Sequence, residues 1–357
     1  MTGAATLFAG DQPGGDWERI IAVQHAGSGL RAIVVLHSLA RGPAFGGVRR
    51  VAYASEQAGL ADAKRLAASM SLKCALAGLP AGGGKTVIFD APTLDRQAAY
   101  TALGEVIQEL GGVYVCGPDI GTGKPELAAL RRATSWVNPV GNDAGRSTAV
   151  GVLAGLRGLL GVVFDDPSPS GRRCVIEGLG GVGLALATSL LEAGASVAGW
   201  DPDPGARARA AALGVELLEK GTLAMEPCDV FMPCALGHTL TRERCERAPW
   251  RAVCGSANNQ LADRDAAAAL RAREIAWAPD FVVNAGAVIE GVETTIGSGG
   301  GAAHERVVRG IEAIEGRCAQ LLTRARAERR CVSELALEVA RAALRAPVDL
   351  PPEPPEG

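Results

Sequence analysis

The chain has 357 residues, 48% of them hydrophobic and 21% charged, with a formal net charge of −3. That length suits two domains, each able to bury its own core, with a cleft expected between them; the balanced charge and the absence of a basic patch exclude a nucleic-acid binder and a disordered chain. The opening MTGAATLFAGDQPGGDWERI has neither a basic n-region nor an apolar h-region, and the most apolar later stretch, Val150 to Phe164, carries Arg157 and several glycines, so no membrane segment is expected and a cytoplasmic protein is.

In chain order, Arg31 to His37 is β-branched and apolar and reads as a strand, and Gly42 to Gly47 reads as a glycine turn. Ser55 can cap a helix running to about Ala77, on which Leu60, Ala63, Ala67, Met70, Cys74 and Ala77 fall at helical spacing, so that Lys73 borders the buried face. Gly78 supplies the C-terminal stop, and Thr86 to Phe89 resumes as a strand with Lys85 at its start. A helix from about Asp95 to Leu110 and a strand from Val113 to Cys116, ending in Gly117-Pro118-Asp119, complete a first α/β layer. The Gly-, Pro-, Asn- and Asp-rich stretch between Ser135 and Ser147 suits an interdomain turn, so the first domain is expected over 1–146 and the second over 147–330.

A helix from Thr148 to Leu160 precedes repeated β-α units: Cys174 to Glu177, a helix to Ala193, Ser196 to Trp200, another helix, Asp229 to Met232, and Ala252 to Cys254. That alternation is the sequence form of a doubly wound parallel sheet, a Rossmann domain. A long helix from about Ala303 to Arg329 and a shorter one from Ser333 to Arg345 follow, and the final DLPPEPPEG is expected to be unstructured.

Gly178, Gly180, Gly181, Val182 and Gly183 form G-x-G-x-x-G between an apolar strand and a helix, answered by Asp201 at the end of the next strand. The glycines let the backbone approach a pyrophosphate at a helix N-terminus, and the acid accepts ribose hydroxyls while repelling a 2′-phosphate; NAD is expected, with Arg207 and Arg209 keeping NADP open.

Only five of the 36 basic residues are lysine, at 64, 73, 85, 124 and 220. Lys73 and Lys85 stand in apolar or glycine-rich settings, where an ammonium, unlike a guanidinium, can be made to lose its proton near neutral pH. GLPAGGGKT is not a phosphate loop: its leading glycine is misplaced and a strand, not a helix, follows. Nine cysteines without a C-x-x-C pair and four dispersed histidines indicate neither a disulfide framework nor a metal site.

Five segments resemble the glutamate/leucine/phenylalanine/valine dehydrogenase family, closest to its leucine and phenylalanine members: GPAFGG at 42–47, SLKCALAGLPAGGGKTVIF at 71–89, GPDIGT at 117–122, CDVFMPCALG at 228–237 with CGSANNQ at 254–260, and APDFVVNAGAVIEG at 278–291. The resemblance implies an N-terminal α/β substrate domain to which 331–357 returns, a C-terminal dinucleotide domain, and a homodimer or larger homo-oligomer. It implies that Lys85 is the catalytic amine and Asp119 the proton acceptor for the substrate amine. Lys73 would hold the substrate carboxylate, helped by Asn259 and the backbone of Gly46 and Gly47, and its charge together with burial would lower the Lys85 pKa. Ala235, Asn258 and Asn284, with Thr148, would hold the nicotinamide and its ribose. Phe45, Met70, Pro118, Val288 and Gly291 would line an apolar side-chain pocket; Gly291 and the GPD sequence favour an aromatic or bulky substrate, tryptophan included, while Phe45 could narrow the pocket. The stretches 137–147 and 298–303 look shorter than in the family. A non-catalytic dinucleotide-binding regulator would satisfy the glycine loop and Asp201, but leaves the lysine loop unexplained.

Overall fold

The computed structural model describes residues 17–297 and 302–346, and the chain divides into two compact units. The first takes the described residues of 1–142, 291–304 and 340–357, the second those of 143–290 and 305–339. These limits differ from the expected ones: the first unit also gains the segment after residue 290, and the return to it begins at 340 rather than 331. Both of these boundaries fall inside helices, Gly286–Thr295 at Gly291 and Val332–Arg345, so neither crossing is a loop. The terminal DLPPEPPEG and most of the 298–303 stretch lie outside the described residues.

The first unit runs β1 (Arg19–His25), β2 (Leu30–Ser38), β3 (Ala44–Val51), α1 (Glu56–Leu76), β4 (Gly82–Phe89), α2 (Arg96–Glu109), β5 (Tyr114–Gly117) and α3 (Lys124–Arg131). Its sheet has the order β1-β2-β4-β3-β5, with β3 parallel to both neighbours and β2 antiparallel to β1 and β4. Side chains alternate across a sheet. Val35 and Val87 therefore meet Leu60, Ala63 and Ala67 of α1 on one face, while Val34, Leu36, Val48, Ile88 and Tyr114 meet Tyr100, Leu103, Ile107 and Leu130 of α2 and α3 on the other. Ser55 caps α1 by accepting from the Ala58 amide, and Gly78 leaves it with φ 74°, the left-handed conformation a glycine accepts at no steric cost.

Gly42 to Gly47, expected as a turn, is mostly strand. Gly42, at φ 121°, turns the chain, and β3 begins two residues later. Glycine is needed at 46 for proximity instead: a Cβ there would lie 1.7 Å from the Gly84 carbonyl oxygen. The run Gly82-Gly83-Gly84 has the same origin. Gly82 lies under the Ser38 carbonyl, Gly83 under the α1 backbone at Ala67 and Ser71, and Gly84 under the Tyr114 ring. Lys85 consequently sits inside β4 rather than at its start, as the strand continues back through the glycines.

The second unit holds α4 (Ala144–Phe164), β6 (Arg173–Glu177), α5 (Gly181–Glu192), β7 (Ser196–Trp200), α6 (Pro204–Ala212), β8 (Glu216–Leu217), β9 (Cys228–Pro233), α7 (Arg242–Arg247), β10 (Trp250–Val253), α8 (Arg264–Ala272), β11 (Ala276–Trp277), α9 (Asp280–Val283) and the first half of α10 (Gly286–Thr295), followed by most of α11 (Ala302–Glu328) and the start of α12 (Val332–Arg345). Its sheet, β11-β10-β9-β6-β7-β8, is parallel throughout and reverses order beside β6, the doubly wound topology. Helix α4 is the one helix among the described residues long and apolar enough to cross a membrane. Its glycines account for that apolarity differently: Gly155 leaves room for Val283 of α9, and Gly158 for the α11 backbone at Glu315, so α4 packs as a core helix.

Gly83→Ala should destabilise the protein by at least about 1–3 kcal/mol, because its Cβ would meet helix backbone that cannot swing aside. Gly141→Ala, in open space, should stay within about 0.5 kcal/mol of the parent in denaturant titrations.

Candidate active site

Alternation along β3 puts Phe45, Gly47 and Arg49 on the sheet face that α1 covers, and the parallel register with β4 brings Lys85 to that face beside Gly47. A Cβ at Gly47 would lie 3.2 Å from Lys85 Nζ and 2.9 Å from Asp119 Cβ. The missing side chain is thus the space in which amine and carboxylate meet. Lys85 Nζ lies 2.6 Å from Asp119 Oδ2, with the lysine side chain 7% exposed and the aspartate 20%, so the pair is shielded yet reachable from the aspartate side.

The cation beside this pair is Arg49, which the sequence reading did not single out. Its Nε donates to Asp119 Oδ2 at 2.8 Å and its Nη1 to Asp62 Oδ2 at 3.1 Å. Asp62, on α1, also accepts from Tyr53 Oη at 2.8 Å and pairs with Arg65 at 2.6 Å. Burial pushes the Lys85 ammonium below its ordinary value; Asp119 opposes this and Arg49 adds to it. The largest charge contributions at Lys85 come from Asp119, Arg49 and Asp62. Burial alone would raise the Asp119 carboxyl, but the Lys85 charge and the Arg49 hydrogen bond outweigh it and hold the group below the usual carboxylate range. A signal for Arg49 existed in the sequence, as it stands two residues after Gly47 on a strand and must share its face.

Lys73 and Met70 lie half-buried on α1, and Gly46 and Gly47 pair with Cys116 and Gly117 of β5. Pro118 is exposed, its carbonyl facing Gly47. Phe45 is 6% exposed, and a Cβ at Gly291 would lie 2.3 Å from its ring. The room that Gly291 vacates is therefore filled by the Phe45 ring.

The second unit gathers the remaining expected residues. Gly178 has φ 98° and lies under Ala235, while Gly183 lies under the Gly178 carbonyl. Cβ atoms at Gly180 and Gly181 would meet nothing within 4 Å, and the N-terminus of α5 carries no side-chain cap, so its amides and open backbone fit a pyrophosphate. Asp201 Oδ2 accepts from the Leu179 amide at 2.8 Å, which ties the acid to the glycine loop. Asn284 donates to Asn258 Oδ1 at 2.9 Å, and Asn259, at φ 53°, is held by Asp280 at 2.8 Å. Thr148 donates to the Ala144 carbonyl within α4, and Val288 is half-buried on α10. Among the described residues no cluster of three His, Cys, Asp or Glu suits a metal, and all nine cysteines are free.

Residues 18–136 match the family model described as Glu/Leu/Phe/Val dehydrogenase, dimerisation domain, and residues 206–331 match that of Glutamate/Leucine/Phenylalanine/Valine dehydrogenase. The chain is 36% identical to a leucine dehydrogenase of Thermoactinomyces intermedius, over 84% of this chain and 83% of that one. It is 38% identical to a valine dehydrogenase of Streptomyces virginiae, over 80% and 82%. The L-tryptophan dehydrogenase of Nostoc punctiforme superposes with a TM-score of 0.80 at 26% identity, covering 92% of this chain and 96% of its own.

Gly47→Ala, whose Cβ would also meet the Pro118 carbonyl oxygen at 2.7 Å, should push Lys85 and Asp119 apart, lowering turnover about 10²-fold in a steady-state assay, since an ångström of misplacement at reacting groups costs that much.

Proposed function

Because the chain belongs to the Glu/Leu/Phe/Val dehydrogenase family, we propose that it catalyses the reversible oxidative deamination of an apolar L-amino acid to its 2-oxo acid and ammonia, with NAD⁺ as the oxidant. The observation that carries this reading is the buried amine of Lys85 against the Asp119 carboxylate, in a space cleared by Gly47. A non-catalytic nucleotide binder has no need of such a pair.

Bound with its pyrophosphate at the α5 N-terminus, NAD⁺ would accept hydride from the substrate Cα. Lys73 and the backbone at Gly46 and Gly47 hold the substrate carboxylate, since an acid entering an apolar site needs charge-assisted partners. Asp119 takes a proton from the substrate amine and later returns it. Lys85, as the free amine, takes a proton from the attacking water and returns it as the carbinolamine releases ammonia. NAD⁺ is favoured over NADP⁺ by the Asp201 carboxylate and by the commitment of Arg207 to the Asp201 and Pro202 carbonyls.

The preferred side chain is branched and aliphatic. Phe45 fills the volume left by Gly291, an apolar wall leaves a substrate carboxylate unpaired, and the similar proteins include leucine and valine dehydrogenases. A cytoplasmic homo-oligomer is supported by the free cysteines and by the dimerisation-domain description of the family model.

Purified protein with NAD⁺ should produce NADH absorbance with leucine or valine in preference to phenylalanine. The rate should rise with pH as the Lys85 ammonium deprotonates, below the ordinary lysine value of 10.5. Silence across aliphatic and aromatic L-amino acids would overturn the reading. Lys85→Ala should lose about 10²–10⁴-fold in turnover while NAD⁺ binding persists. Phe45→Ala should shift preference toward phenylalanine.

A further inference from the structure

We infer that Arg49 is a positioning residue of this reaction: clamped between Asp62 and Asp119, it fixes the Asp119 carboxylate beside Lys85 and shares that carboxylate's charge, so that the amine is released as a free base. The inference rests on the reading of Lys85 as the catalytic amine.

A carboxylate 2.6 Å from an ammonium would, alone, hold the proton on nitrogen and oppose the chemistry. Arg49 changes this by competing for the same oxygen. Its Nε reaches Asp119 Oδ2 at 2.8 Å, matching the lysine contact, and its Nη2 lies 3.5 Å from Oδ1. Its far end is held at 3.1 Å by Asp62, which is itself fixed by Tyr53 and Arg65. A guanidinium suits this place because its planar fork spans two carboxylates and it never gives up its proton, so it cannot replace Lys85 as the titrating group. The charged and titratable groups around the amine are Asp119 after β5, Arg49 on β3, Tyr53 between β3 and α1, and Asp62 with the more exposed Arg65 on α1. Two further titratable groups belong to the elements packed there: Lys73, half-buried on α1, and His37 of β2, buried and bonded to Ser71 of α1 at 2.9 Å.

The arrangement sets two opposite signs. Removing Arg49 leaves the whole Asp119 charge to Lys85 and favours the ammonium. Removing Asp62 takes away an anion and leaves the Arg49 charge less compensated, which disfavours it. A residue that merely braced the fold would give neither pattern.

With five lysines in the chain, labelling with ε-¹³C-lysine gives a spectrum in which Lys85 is identified by its absence from Lys85→Arg. The Lys85 midpoint should rise by about one unit or more in Arg49→Gln, fall in Asp62→Asn, and return most of the way in Arg49→Lys. The acid limb of kcat/KM for oxidative deamination should move with it. Should Arg49→Gln fail to fold, Asp62→Asn, which keeps both donors to Asp119, decides the matter. Midpoints that stay put or move in the same direction in the Arg49 and Asp62 variants overturn the inference while the enzyme reading stands. Absence of wild-type turnover with every amino acid overturns both.

Discussion

A buried ammonium loses its hydration, and only a close counter-charge repays enough of that loss for it to persist in a folded protein. In this chain the counter-charge of Lys85 is Asp119, and much of the first unit's local design follows from fitting the two together. Two parallel strands must approach until amine and carboxylate are in contact, a covering helix must come down on them, and no side chain can stand between. Glycines at 46, 47, 83 and 84 meet those demands one by one, each facing a different neighbour. Gly47 answers the charge pair itself and the others the close packing around it, so the extended geometry of these glycine runs has little to do with turning the chain.

The second unit solves its problem with the opposite means. Where the first concentrates charged side chains, the glycine loop before α5 leaves backbone amides bare, and Asp201 braces that loop by accepting from the Leu179 amide. Bare dipoles of this kind suit a dianionic group and buried cations suit an acid, so the two cores carry different chemistry.

Sequence alone made much of this legible. Ser55 and Gly78 bracketed α1 because capping and left-handed termination are local, and the glycine fingerprint with Asp201 was readable because strand, loop and helix are contiguous. Lys85 stood out through the scarcity of lysine. What escaped was whatever depended on a distant neighbour. Composition cannot tell whether a glycine serves its own φ or another residue's backbone, so β3 was read as a turn. Arg49 was hidden among many arginines because its partners, Asp62 and Asp119, are brought to it only by the fold. The half-exposed edge strand β1 and the short helix α3 gave too weak a pattern to be noticed. The unit boundaries inside α10 and α12 fall within continuous helices, where no loop announces them.

The fit of Phe45 against Gly291 has a historical corollary. Two residues that occupy one volume cannot change independently: a larger residue at 291 is barred while the ring is present, and the ring is admissible only because 291 is bare. Descent toward or away from this pair is constrained in order. A lineage gaining bulk on the helix must first lose it on the strand, and its intermediate carries a void that costs stability.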